Sequence, residues 1–319
     1  AGCTTINKVC GSGMKSIMLA HDLILAGSNR VMVAGGMESM SNAPHLLPNA
    51  RAGYRFGHGR VLDHMAFDGL EDAYEGEAMG VYAETCATKY DFSRTAQDEF
   101  AITSLKRAQK AIEEGAFNDE IVAVEFSKRG REVCVDTDEQ PLKAKLDKIP
   151  LLRPAFKKDG TVTAANASSI SDGAAAIVLM RQSEAKSRGL RALARIVAHA
   201  SHSQEPNEFT LAPISAIKSL LQKSEWTKDS VDLFEINEAF AVVAMAAMVE
   251  LELDHGRVNV HGGACALGHP IGCSGTRIVV TLIAALQLLG KTRGVASLCI
   301  GGGEATAMAI ELVTNNDTY

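Results

Sequence analysis

The sequence has no excess of basic residues, no apolar run that reads as a membrane span, too few cysteines for a disulfide scaffold and no phosphate-binding glycine loop. With 32 Lys and Arg against 38 Asp and Glu its net charge is -6, so nothing electrostatic recommends nucleic acid as a partner and an anionic ligand must find a local patch. Apolar runs such as 278–289 fall short of a span and include Ala and Gln, and so read as buried helices rather than membrane segments. Seven cysteines in 319 residues are too sparse for a small secreted scaffold and point to reduced thiols in a cytoplasmic or similar compartment. Gly11 and Gly13 lack the spacing of a phosphate loop, and no Gly-x-Gly-x-x-Gly follows a first strand, which argues against a dinucleotide cofactor. The final Asn-Asp-Thr-Tyr is neither a peroxisomal nor a reticulum address.

What is present is enough apolar residue, 46%, to bury a large core in two or three units. Ile17, Met18, Leu19, Leu23, Ile24 and Leu25 recur at helical spacing and predict a helix that starts near Cys10 and stops at Gly27. A short strand over 30–34 is expected to end at Gly35 and Gly36 in a tight turn. Charge and turn residues then take over, with one long helical pattern from Ser93, before an apolar strand at 174–180 that reads as covered on both faces. Strands and helices alternate beyond Leu190: strands at 194–198, 232–236, 258–260 and 295–300, and helices from Pro213, after Glu238 and before Leu289. This alternation is the α/β signature.

Residues 30–36 and 294–303 each follow an apolar helix with a basic turn, a strand and a run of glycines, a weak internal repeat that suggests two similar halves. The organisation read from this is a first half of 1–39 plus 170–190, a loop-rich inserted domain of 40–169, and a second half of 191–319.

Four places could carry chemistry. Cys10 stands at the projected start of a helix and precedes Gly-Ser-Gly, where backbone N–H groups would stabilise a thiolate and lower its pKa; a lone cysteine is more often a small buried hydrophobe. His269 lies in a loop with glycines and a proline ahead of a helix, as a base for a cleft or a histidine that caps the helix. Cys299 ends a strand before three glycines, whose N–H groups could face an oxyanion. Asn237 and Glu238 follow a strand at the strand-to-helix junction where ligands of open α/β sheets gather, although an asparagine there can simply cap the helix. Cys265, His269 and Cys273 invite a metal reading, but glycine and proline break the helix that would align them and no fourth ligand has matching spacing, so no metal is expected.

Together, residues 7–15 (Asn-Lys-Val-Cys-Gly-Ser-Gly-Met-Lys), 237–240 (Asn-Glu-Ala-Phe), 268–275 (Gly-His-Pro-Ile-Gly-Cys-Ser-Gly) and 299–303 (Cys-Ile-Gly-Gly-Gly) resemble the signatures of the thiolase family. Residues 33–41 and 161–168 extend the match across nearly the whole chain. The resemblance implies a layered αβαβα fold of two similar halves with an inserted domain that binds coenzyme A. It implies Cys10 as the nucleophile that becomes acylated, His269 as its base, Cys299 as the second acid/base, Asn237 as the holder of a water, and the N–H groups of Cys10 and Gly301 as an oxyanion hole. Met79, Phe156, Ser168 and Phe240 are the implied pantetheine contacts, and Lys157 and Lys158 a weaker match for the nucleotide phosphates. The implied reaction joins two acetyl-CoA into acetoacetyl-CoA plus CoA, with acyl-CoA and CoA as the partners, no further cofactor, and a homodimer or homotetramer as the assembly.

Short-chain members carry His-Met-Gly where this chain reads Ala78-Met79-Gly80, which keeps a degradative 3-ketoacyl-CoA thiolase as the nearer alternative. A non-catalytic acyl-CoA or lipid carrier and a cysteine hydrolase using Cys10 and His269 are the readings from other classes, and the hydrolase has no need for Cys299. Family members begin well before the nucleophile, so an N-terminal segment, with any mitochondrial targeting information, and part of the first sheet are expected to be missing, leaving apolar sheet edge exposed.

Overall fold

The computed structural model describes residues 1–313, so the end of the expected second half, with its Asn-Asp-Thr-Tyr terminus, lies outside the described residues. A single 3-10 turn, Val9–Gly11, runs into helix α1, Ser12–Leu25, and strand β1, Val31–Ser39, follows. The segment after it holds a small hairpin, β2 His45–Leu46 and β3 Leu62–Asp63, then helices α2 Met79–Lys89 and α3 Arg94–Glu113. A second hairpin, β4 Val124–Lys128 and β5 Arg131–Val135, and the short helix α4, Glu139–Lys143, complete it before β6, Asp172–Met180. The remainder is α5 Gln182–Ser187, β7 Ala194–Ser203, α6 Ala212–Ser224, β8 Leu233–Ile236, α7 Ala241–Leu251, α8 Ala264–Leu267, α9 Ile271–Leu288, β9 Arg293–Ile300 and β10 Glu304–Leu312.

Two sheets enclose a pair of helices. Strands β1 and β6 pair antiparallel as one sheet, and β7-β10-β9-β8 form the other, antiparallel except for the parallel pair β8 and β9. Helices α1 and α9 lie between them, with Met14, Ile17, Met18, Ile278, Leu282 and Leu286 meeting Leu298 and Met308 in one dry cluster. Each of these buried side chains contributes about 1.5–3 kcal/mol of transfer free energy. Helix α9 is long and apolar enough by composition to cross a membrane, yet 67% of it is buried here as a central core helix. On the other face of the four-stranded sheet, α6, α7 and α2 bury Ile217, Leu220, Phe234 and Val242 in a second cluster. The repeat is visible in the topology: α1 leads to β1 and its antiparallel partner β6, as α9 leads to β9 and its antiparallel partner β10, with residues 40–171 inserted in the first pair only.

Several local expectations change. Strand β1 does not turn at Gly35 and Gly36 but runs through both. The glycines serve close approach instead: a Cβ on Gly36 would lie 1.8 Å from the carbonyl oxygen of Gly272, and one on Gly35 2.4 Å from that of Ala175. The sheet of β1 and β6 is not covered on both faces, for Val33, Met37 and Val178 stand 72%, 73% and 62% exposed on its outer side. Residues 258–260 form no strand; a 3-10 turn at His255–Arg257 leaves only an isolated bridge from Val258 to Phe234. Helix α2 was not legible, because Gly80, Ala83 and Ala87 bury a face too small to give a strong apolar period. The long helix begins as expected, with the Ser93 hydroxyl accepting from Ala96 N–H at its N-terminus.

Candidate active site

Cys10 sits in the 3-10 turn between Val9, whose φ is +49°, and Gly11. Two contacts press this turn against the loop after β9. A Cβ on Gly11 would lie 2.4 Å from Cδ1 of Ile300, and the Lys8 ammonium pairs with the Glu304 carboxylate at 2.5 Å. Burial pushes the Cys10 thiol up to about 11, outweighing the N–H groups of Gly301 and of Cys10 itself, which pull it down, while the Glu38 carboxylate adds to the rise. The expected lowering by the helix start is therefore overturned: the donors are in place, but desolvation of an anionic sulfur costs more than they return. Cys10 is a thiol at rest.

Cys299, wholly buried near the end of β9, is held as a thiol too, by desolvation first and by the neighbouring Cys10 second. The strand-to-turn geometry puts its glycines where sequence reading places them, with Gly302 and Gly303 at φ of +93° and +90°. Only glycine adopts this region without strain.

His269 precedes α9, whose N-cap is Pro270, so the histidine does not cap the helix. Its Nδ1 lies 2.5 Å from the Ser274 hydroxyl oxygen. With the hydroxyl hydrogen assigned to the Pro270 carbonyl at 2.9 Å, Nδ1 donates to Ser274 and Nε2 carries the lone pair. Nε2 is buried and has no partner among the described residues. Burial, with the Arg277 charge adding to it, pushes the imidazole down to about 4, so it stands ready as a neutral base. The head of α9 is fixed from the other side by the Glu38 carboxylate, which accepts from Gly272 N–H at 2.9 Å, and by Gly13, whose Cβ would meet Thr276 N at 2.7 Å. Those contacts bring the Cys10 turn and the His269 loop to one place.

Asn237 is not a helix cap; Phe240 holds that position for α7. Its backbone N–H donates to the Ser297 carbonyl at 2.9 Å, which sets it beside β9 two residues from Cys299, while both polar side-chain atoms are buried without partners among the described residues. Glu238 has a different part. Its carboxylate accepts from Ser104 Oγ at 2.7 Å, Asn259 Nδ2 at 2.8 Å and Cys265 N–H at 3.1 Å, bracing the loop that leads to His269.

A wall of the implied pantetheine contacts adjoins this centre. Met79 Sδ would be 3.2 Å from a Cβ on Gly301, the ring of Phe156 covers Gly80, and Phe156 meets Phe240 edge to face at 6.0 Å. Ser168 donates through its backbone N–H and its hydroxyl to the carbonyl of Ala239, at 3.0 and 2.9 Å. Lys157 and Lys158 follow Phe156 on the exposed surface. Cys265, His269 and Cys273 do not gather as a ligand set among the described residues. Sequence reasoning gave Ser274 and Glu38 no role. The signal was there in part, a hydroxyl five residues after His269 in the first turn of a helix.

Two thiols and one imidazole, from the Cys10 turn, the end of β9 and the loop before α9, suit acyl transfer, with Cys10 and Cys299 close enough to act on each other's charge, and the comparisons with known proteins specify the class. The model "Thiolase, N-terminal domain" matches residues 1–183 and "Thiolase, C-terminal domain" residues 190–312. The chain belongs to the thiolase family, and the expected thiolase-like α/β fold is borne out. It is 50% identical over 309 residues to a probable acetyl-CoA acetyltransferase of Dictyostelium discoideum, covering 97% of this chain and 75% of that relative. With acetyl-CoA acetyltransferase of Cupriavidus necator it shares 48% over 309 residues, 96% and 79% of the two chains. The crystal structure of Bacillus anthracis acetyl-CoA acetyltransferase superposes with a TM-score of 0.93 at 43% identity, covering 97% and 78%. A thiolase of Ascaris suum in complex with coenzyme A superposes at 0.91 with 46% identity, covering 98% and 79%.

Proposed function

We propose that this thiolase is an acetyl-CoA C-acetyltransferase that condenses two acetyl-CoA reversibly into acetoacetyl-CoA and CoA through an acyl-Cys10 intermediate. Relatives with that name are about half identical over nearly all of this chain. The observation that carries the chemistry is the bare Nε2 of His269, its tautomer fixed by Ser274, at the head of the helix packed on the Cys10 turn.

The resting protons supply the cycle. As the Cys10 sulfur attacks the first thioester, Nε2 of His269 takes its proton, and the N–H groups of Cys10 and Gly301 face the developing oxyanion. Collapse expels CoA thiolate, which takes the proton of Cys299. This leaves acetyl-Cys10, imidazolium at 269 and thiolate at 299. The second acetyl-CoA then gives its α-proton to Cys299, while His269 and a water held by Asn237 stabilise the enolate oxygen. The carbanion attacks the acetyl-Cys10 carbonyl, the C–C bond forms, and the departing Cys10 sulfur recovers the proton of His269. Both thiols and the neutral imidazole are restored, and no group beyond the CoA thioesters is required.

Met79, Phe156, Ser168 and Phe240 line the pantetheine in this reading, and Lys157 and Lys158 meet the nucleotide phosphates. The exposed apolar Val33, Met37 and Val178 support assembly as a homodimer or homotetramer, which light scattering of the purified protein tests.

The deciding experiment is intact-protein mass spectrometry after brief exposure to acetyl-CoA, with product analysis. Wild type and Cys299→Ala should carry one acetyl adduct, Cys10→Ala none, and only wild type should make acetoacetyl-CoA. Free acetate as the product would instead make this a hydrolase, and full turnover of longer 3-ketoacyl-CoA in preference to acetoacetyl-CoA would make it a degradative thiolase.

A further inference from the structure

Near the C-terminal end of α1, His21 and Asp22 meet His199 of β7. Nδ1 of His21 lies 3.1 Å and Nε2 of His199 2.9 Å from the same Oδ1 of Asp22. The two imidazoles stand edge to face with their centroids 5.2 Å apart. These three donor atoms lie within 4.8 Å of one another, and no other such group of His, Cys, Asp or Glu occurs among the described residues. Both histidine side chains are largely packed away, at 21% and 18% exposed, whereas Asp22 is 54% exposed. Two held nitrogens thus converge on one carboxylate that remains open to water.

That geometry is explained by a hydrogen-bonded cluster alone, in which each neutral ring donates to Asp22, but it meets a stricter requirement as well. Two imidazole nitrogens and a carboxylate oxygen from a rigid helix and a rigid strand, with one side open, match a three-ligand site for a borderline divalent ion completed by water. From the flanking helix α6 the Lys223 ammonium donates to the His199 carbonyl at 3.4 Å rather than to the ring nitrogens.

We propose that His21, Asp22 and His199 bind a Zn(II)-class divalent ion and that the bound ion ties helix α1 to strand β7. Binding moves the two ring protons to the other ring nitrogens, so the imidazoles stay neutral. Asp22 and His199 are 177 residues apart in sequence, and the ligands belong to the N-terminal and C-terminal family domains, 1–183 and 190–312. An unfolded chain cannot present them together, so the ion stabilises the folded form. The clamp grips the far end of the helix whose first turn follows Cys10.

The test must separate this site from the thiols of Cys10 and Cys299. Chelator-treated full chain is titrated with Zn(II) by calorimetry and with Co(II) by absorption, and its melting temperature is followed with and without Zn(II). Wild type and Cys10→Ala should bind alike, with Co(II) visible bands of a nitrogen and oxygen site and no thiolate charge-transfer band, and melting should rise with Zn(II). His199→Phe, which keeps the ring volume, and the exposed change Asp22→Asn should each weaken binding by roughly tenfold or more and abolish the rise in melting. Binding unchanged in both variants, binding lost in Cys10→Ala, a thiolate band, or no binding to wild type would overturn the proposal.

Discussion

The Ser274 hydroxyl decides which nitrogen of His269 is basic. With its own hydrogen assigned to the Pro270 carbonyl, it accepts from Nδ1 at 2.5 Å. Ser274→Ala removes that acceptor and lets the imidazole change tautomer or rotate, while the helix loses little. The expected result is a fall in kcat of about ten- to hundredfold with KM nearly unchanged, the scale of one buried hydrogen bond. Steady-state condensation assays check it, and a change confined to KM would argue against the positioning role.

Protonation sets a pH signature opposite to that of an activated low-pKa cysteine. With the Cys10 thiol near 11, alkylation of the ligand-free protein by iodoacetamide should accelerate by roughly tenfold per pH unit above neutrality, without a plateau below about pH 9. A plateau near neutrality in the alkylation rate would contradict the burial argument.

His269 also links acid to stability. Its folded value of about 4 lies below the ordinary 6.5, so the unfolded chain binds the extra proton in that window and stability falls as pH drops from about 6.5 to about 4. The full effect is about 3 kcal/mol. His269→Gln should flatten this part of the stability curve, measured by urea unfolding at successive pH values.

Asn237 carries two buried polar side-chain atoms with no partner among the described residues, an arrangement that costs a fold about 1–3 kcal/mol and is kept for another purpose. Asn237→Ala should therefore leave the melting temperature unchanged or raised while lowering condensation by about hundredfold. Loss of stability in parallel with activity would make the amide structural.

Gly36 is where the first sheet touches the head of α9. With a Cβ there 1.8 Å from the Gly272 carbonyl oxygen, Gly36→Ala should cost about 3 kcal/mol or more and displace the His269 loop. Gly69→Ala, whose Cβ would meet only Ile271 at 3.5 Å, is the control. Chemical denaturation of the two variants should separate them clearly.

The readings from sequence held where one short segment contains the whole cause. The periods of α1 and α9, the long helix beginning near Ser93 and the glycine run after β9 are local facts of spacing and backbone freedom, and they appear in the structure. They failed where the cause lies across the fold. Gly35 and Gly36 read as a turn because their partners, Ala175 and Gly272, are far away in the chain. The small-residue face of α2 could not announce itself as apolar.

By itself the sequence determined the family and the thiolase-like α/β architecture and singled out Cys10, His269 and Cys299 as the candidate reactive side chains, since these readings rest on residue types at fixed short spacings. Only the tertiary structure decided their state. Burial made Cys10 and Cys299 thiols against the pull of nearby N–H groups, Ser274 chose the free nitrogen of His269, and the convergence of α1 with β7 brought His21, Asp22 and His199 together. Desolvation and long-range proximity depend on what surrounds an atom in three dimensions, which no local spacing encodes.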